Sequence, residues 1–194
     1  MAAPDLPEVG EYSHRTQILA CAGLGVIFIL VLTLAGGADW SLAWLLVSVT
    51  LGVILLALAA IDMRAHILPD VLTLPLLLAG LIVNGLWPMS LLWSGIGAVC
   101  GYGLIAGLRW LWLRRTGLEA IGLGDAKMLA AAGAWVGAAG LPFVLLVASG
   151  TGLAVALVGR SYFEQKALPF GVFLALGTWV SWCVWVTAQF AMTS

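Results

Sequence analysis

"VLTLPLLLAGLIVNGLWPMSLLWSGIGAVCGYGLIAGL", residues 71–108, runs from Asp70 to Arg109 without one charged side chain. A membrane-spanning helix needs about 20 mostly apolar residues, within a range of about 17–25. The run is too long for one such helix. It carries its own punctuation at "NGLWPMS", where Asn84, Gly85 and Pro88 gather and a turn is favoured. The stretch therefore predicts two membrane helices, at 71–87 and 91–113, joined by a tight connection.

The rest of the chain agrees. Of its 194 residues, 63% are hydrophobic and 9% charged, and the mean hydropathy is +1.12. Soluble domains are about 45–50% apolar and about 25% charged. Further uncharged runs place helices at 16–38 and 40–61. The run from Met128 to Gly159 breaks at "GAAGLP" and gives a short helix at 125–138 and a full one at 140–159. A last helix covers 168–190. The expectation is an all-α, polytopic membrane bundle of seven helices. A polar tail, 1–16, precedes one membrane-embedded domain, 17–191. The tail carries Asp5, Glu8 and Glu11, whereas a secretory signal begins with a positively charged region.

Charge placement sets the orientation. With the N-terminus in the cytoplasm, all eight basic residues fall on cytoplasmic segments: Arg15, Arg64, Arg109, Arg114, Arg115, Lys127, Arg160 and Lys166. The opposite loops carry only Asp39, which is the positive-inside pattern. Trp40, Trp87, Trp93 and Trp135 are expected at the outer interface, and Trp110 and Trp112 at the inner one. The net charge of −1 leaves no basic patch for nucleic acid; membrane lipid is the expected surroundings. Cys21, Cys100 and Cys183 lie far apart in apolar runs with no CxxC pair. They are expected to be buried small hydrophobes rather than zinc ligands or disulfides.

Against this apolar background, "IDMRAHILPD", residues 61–70, concentrates Asp62, Arg64, His66 and Asp70. A second carboxylate, Asp125, stands in "EAIGLGDAKML", residues 119–129, where a loop enters the fifth helix. The topology puts both aspartates at one membrane face and allows them to meet. Two adjacent carboxyls do not both ionise easily, so one keeps a proton while the other loses it. The ionised member can activate water and the neutral one can protonate a leaving amine. Gly122 and Gly124 ahead of Asp125 let the backbone come close to an extended peptide chain. Each aspartate also has a structural reading: Asp62 as an interfacial helix end, Asp125 as a helix cap.

Together, "IDMRAHILPD", "GLGDAK" and "LPFG" (residues 168–171) resemble the type IV prepilin peptidase family, membrane aspartic proteases of the GxGD class. "LPDVLTLPLLLAGL" and "KMLAAAGAWVG" are similar to the family as well, so the resemblance covers roughly residues 45–190. It implies a helical bundle with its site at the cytoplasmic edge of the bacterial inner membrane, and Asp62 and Asp125 as the catalytic pair. The implied activity is removal of the basic leader from prepilins or pseudopilins, cutting after a glycine, with no cofactor. Many relatives carry a cytoplasmic domain with two CxxC pairs and also N-methylate the product with S-adenosylmethionine. This chain resembles the peptidase-only form, and methyl transfer is not expected.

Around the pair, Asp70 is read mainly as a helix cap, with support of the Asp62 loop as the other role. Lys127 is either an anchor for lipid phosphate or a charge that favours the ionised form of the pair. Glu119 matches a family glutamate and is a candidate substrate contact; Pro169, Phe170 and Gly171 are expected to pack near the site. Asp62, His66 and Asp70 are spaced by four, but Pro69 breaks the helix that would align them, so no metal site is expected. Two other classes compete. A proton-relay transporter calls for charges at span centres, and the centres here hold none. A non-catalytic scaffold would tolerate loss of both aspartates.

Overall fold

The computed structural model describes residues 42–86, 91–118, 122–158 and 169–193. Five helices form: α1 (Leu42–Ala65), α2 (Asp70–Leu86), α3 (Leu91–Thr116), α4 (Leu123–Val158) and α5 (Phe170–Thr193). Among the described residues, α1, α3, α4 and α5 are each long and apolar enough to cross a membrane, and α2 is a shorter apolar helix. The protein is an all-helical, multi-pass membrane bundle. The polar tail 1–16, the span expected at 16–38, Trp40, Trp87, Glu119 and the loop with Arg160 and Lys166 lie outside the described residues, so the expected count of seven spans is not established.

Hydrocarbon offers no hydrogen bonds, so helices are the form in which these apolar segments can cross it. The outer surface is built accordingly. Leu46, Val53, Leu78, Ile82, Val99 and Leu146 are all exposed, a coating that suits lipid and no aqueous surface. Cys183 is buried, but Cys100 sits on the exposed face of α3, a correction to its expected burial. In a lipid-facing helix the outer side is as apolar as the inner one, so hydrophobicity does not identify the buried face.

The first half of α4 is the centre of the bundle. Residues 128–137 are buried without interruption, and α2, α3 and α5 all pack against this helix. Its sequence, "MLAAAGAWVG", is small enough to permit that. Gly133 meets the Gly97 backbone of α3 with no room for a Cβ on either side, the close packing that small residues give membrane helices.

At Gly137, α4 breaks. Its φ of 70° and ψ of 174° interrupt the helix, in a region that glycine reaches without strain. This is the division expected at "GAAGLP". Such a break frees carbonyls inside the bundle. Asn84 of α2 donates through Nδ2 to Ala134 O (2.7 Å) and Trp135 O (2.9 Å), and Ser94 of α3 donates through Oγ to Ala134 O. Both side chains are fully buried. They are the polar residues that make a broken helix tolerable inside the bundle.

Trp135 is 3% exposed and packs inside the bundle rather than facing outward. Its indole N–H donates to Leu76 O at 2.8 Å, and its ring fits against Gly80. Edge-on, it meets Trp182 with centroids 5.0 Å apart. Trp182 in turn stacks on Trp185 at 5.4 Å and donates to Ser48 Oγ. A tryptophan seeks an interface to satisfy its N–H; here carbonyl and hydroxyl partners supply that need inside the core.

Asn84→Leu keeps the side-chain volume but strips two donors from buried carbonyls, which should cost about 1–3 kcal/mol. Unfolding in mild detergent, followed by circular dichroism, is expected to show the loss. Wild-type stability in this variant would mean that the break at Gly137 does not depend on Asn84.

Candidate functional site

All the described charged residues gather at one end of the bundle: Asp62 and Arg64 where α1 ends, Asp70 where α2 begins, Arg109, Arg114 and Arg115 at the end of α3, Asp125 and Lys127 where α4 begins. The site forms there, from four helix termini.

α1 runs past its expected end and places Asp62 inside its last turn. His66 stops the helix. It adopts φ 52°, and its N–H bonds back to Asp62 O at 2.9 Å, a left-handed cap after the final helical residue. Pro69 then forbids helix at Leu68, and α2 starts at Asp70 with Thr73 Oγ1 bonded back to Pro69 O. The short loop 66–69 thus turns the chain within the site.

Asp62 is 5% exposed. Helix α5 begins beside it: the backbone amides of Gly171 and Val172 lie against its carboxylate, an anion at a helix N-terminus. A Cβ at Gly171 would stand 2.8 Å from Asp62 Oδ2, so glycine is needed at that position. Oδ2 itself is buried and has no hydrogen-bond partner among the described residues. A buried polar atom left open calls for a functional reason or an unseen water.

Asp125 lies in the first turn of α4 and is half-buried. Asp62 and Asp125, on different helices, line one cavity of about 420 Å³ with His66, Leu68, Asp70, Gly122, Gly124, Lys127 and Phe170. They stand in electrostatic reach of one another. Gly124 packs on Leu68, where an added Cβ would meet Leu68 Cβ at 3.2 Å. Gly122 is exposed and leaves its backbone open on the cavity.

Two expected roles change. The Asp70 carboxylate does not cap its own helix; it accepts from Lys127 Nζ at 2.6 and 2.7 Å. Lys127 is therefore committed to Asp70 and is not an ammonium aimed at the aspartate pair. The reason is reach: Lys127 follows Asp125 by two residues, which turns its side chain away from that carboxylate and toward the start of α2. Leu68 lines the cavity without having been singled out in the sequence, while His66 was read only for its spacing with the two aspartates and Phe170 only through "LPFG". Only "LPFG", with a glycine just inside a helix start, gave a sign of the α5 contribution.

The arrangement pairs a buried carboxyl with a half-buried one across a small cavity that opens at the end of the bundle. No metal or cofactor is needed for two such groups to handle a water molecule and an amide.

Comparison with known proteins follows this geometry. The model of the type IV leader peptidase family matches residues 49–157, a segment that contains Asp62, Asp70, Asp125 and Lys127. The chain is 53% identical over 129 residues to the prepilin leader peptidase/N-methyltransferase of Burkholderia pseudomallei (strain K96243), covering 63% of this chain and 41% of that protein. It is 43% identical over 132 residues to the protein of the same name from Aeromonas hydrophila, covering 66% and 46%. To that of Escherichia coli (strain K12) it is 41% identical over 138 residues, covering 68% and 61%. The chain thus spans about half the length of these curated relatives. No solved structure matches it.

Gly171→Ala should force Asp62 or the start of α5 to move, at about 1–3 kcal/mol. Combining it with Asp62→Ala, which empties the space, should recover part of that cost in a double-mutant cycle of unfolding free energies. Strict additivity would mean that the two residues do not press on each other.

Proposed function

The chain belongs to the type IV leader peptidase family, and from that premise we propose that it is a membrane aspartic endopeptidase. Its substrates are type IV prepilins or pseudopilins, whose basic leader it removes at the cytoplasmic face of the bacterial inner membrane. One observation carries this reading: Asp62 and Asp125, brought from different helices, line a single cavity.

The pair holds one proton between its two carboxyls, because like charges this close resist joint ionisation. The ionised member takes a proton from water as the water oxygen attacks the scissile carbonyl carbon. The neutral member gives its proton to the leaving amine as the C–N bond breaks. One water is consumed, and the pair ends with its proton on the opposite carboxyl, to be exchanged before the next turnover.

The position of the cavity fits such a substrate. A prepilin joins a polar leader to an apolar helix, so its cleavage site lies where lipid meets water. The charged end of this bundle lies at that level if the concentration of Arg and Lys marks the cytoplasmic side. Gly122 leaves backbone ahead of Asp125 uncovered for an extended peptide to approach. The two carboxyls account for hydrolysis and give no reason for methyl transfer, the second activity in the relatives' names. A proton relay through the membrane gains nothing from carboxyls confined to one end.

Co-expression with a prepilin carrying a basic leader tests the reading. Asp62→Asn and Asp125→Asn keep the shape and remove the proton chemistry, so each should lower cleavage by about 10²–10⁴-fold, with insertion unchanged. Cleavage within tenfold of wild type in either variant would refute the pair.

A further inference from the structure

The two segments that carry the aspartates touch at two points beside the cavity. Leu68, in the loop after Asp62, packs on Gly124, just before Asp125. Lys127 Nζ, just after Asp125, grips both oxygens of Asp70, just after that loop, at 2.6 and 2.7 Å. Side-chain exposures of 33% for Lys127 and 52% for Asp70 place this pair at the cavity rim.

An ion pair so open to solvent adds little to stability, because water and salt screen it and two side chains must be ordered to form it. What it does fix is geometry. Without it, α1 and α4 are related through the helices packed beside them, α5 on both and α2 on α4, and at the site itself Leu68 meets Gly124 across the gap between the two segments. A clamp with two short N–H···O bonds across that gap sets the separation of the two carboxyls more closely than apolar contact alone can.

We infer that Lys127 and Asp70 are positioning residues: their ion pair ties the loop that follows Asp62 to the helix that carries Asp125 and holds the two carboxyls at working distance. The inference rests on the peptidase reading for its effect on catalysis, but not for the tie itself. Neither residue donates or accepts a proton in the reaction.

Two measurements separate those levels. Leu68→Cys with Gly124→Cys, in a chain whose native cysteines are replaced, puts two Cβ atoms 3.2 Å apart, within a few tenths of an ångström of disulfide geometry at about 3.5–4.5 Å. Oxidation in membranes then reports how firmly the segments are held. Lys127→Met and Asp70→Asn should each slow disulfide formation several-fold, and the exchange Asp70→Lys with Lys127→Asp should restore it. In the chain with Leu68 and Gly124 intact, the same single variants should lower kcat on a prepilin by about 10- to 100-fold, the scale of a misplacement near 1 Å. KM should hold within about twofold, and the exchange should recover much of kcat, with thermal unfolding near wild type throughout. Unchanged oxidation rates in both single variants, or a loss that falls on KM instead of kcat, overturns the inference. If oxidation responds as expected while no form of the protein, wild type included, cleaves any prepilin, the peptidase reading falls and the tie stands.

Discussion

Every backbone amide and carbonyl inside a bilayer must find its partner within the protein, because the surroundings offer none. That constraint shapes this structure more than any single contact. It makes each described element a helix, and it dictates what may happen where a helix fails. α4 fails once, at Gly137, and the carbonyls released there are taken up by Asn84 and Ser94. The break in turn lets the first half of α4 sit at the centre of the bundle, enclosed by three other helices, with Asp125 at its mouth.

The same constraint sends charge to one end. A charged side chain at the bilayer centre is costly, and the described helices keep theirs toward one end of the bundle. The charged end is therefore also where chains turn, where helix N-termini present free amides, and where water can enter. A hydrolytic site needs all three. Asp62 is held against the opening amides of α5, Asp125 stands in the first turn of α4, and the loop 66–69 closes the space between them. The site is a consequence of helices meeting end to end at the surface, not of a cleft cut into the bundle.

Much of this was legible in the sequence. The uncharged run 71–108 and its "NGLWPMS" interruption gave α2 and α3 nearly to the residue, and "GAAGLP" gave the break in α4. The topology put Asp62 and Asp125 at one membrane face, and the motifs around them singled them out from the other charged residues. What escaped was what depends on distant partners. The burial of Trp135 escaped because the sequence does not show Leu76 O waiting for its N–H. Asp70 looked like a helix cap because local rules favour that use; Lys127, 57 residues away, takes the carboxylate instead. Gly171 was expected near the site from "LPFG", but its contact with Asp62 itself joins two distant segments that no periodicity connects. The first expected span, 16–38, and Glu119 concern residues outside those described.

The central claim is that Asp62 and Asp125 act as one unit. Carboxyl-carbon NMR of the protein in lipid, labelled at aspartate, would follow both groups through a pH titration. The expected result is coupled titration: replacing either aspartate by asparagine shifts the curve of the one that remains. Two curves that ignore each other's replacement would contradict the claim, whatever the chain's relatives do.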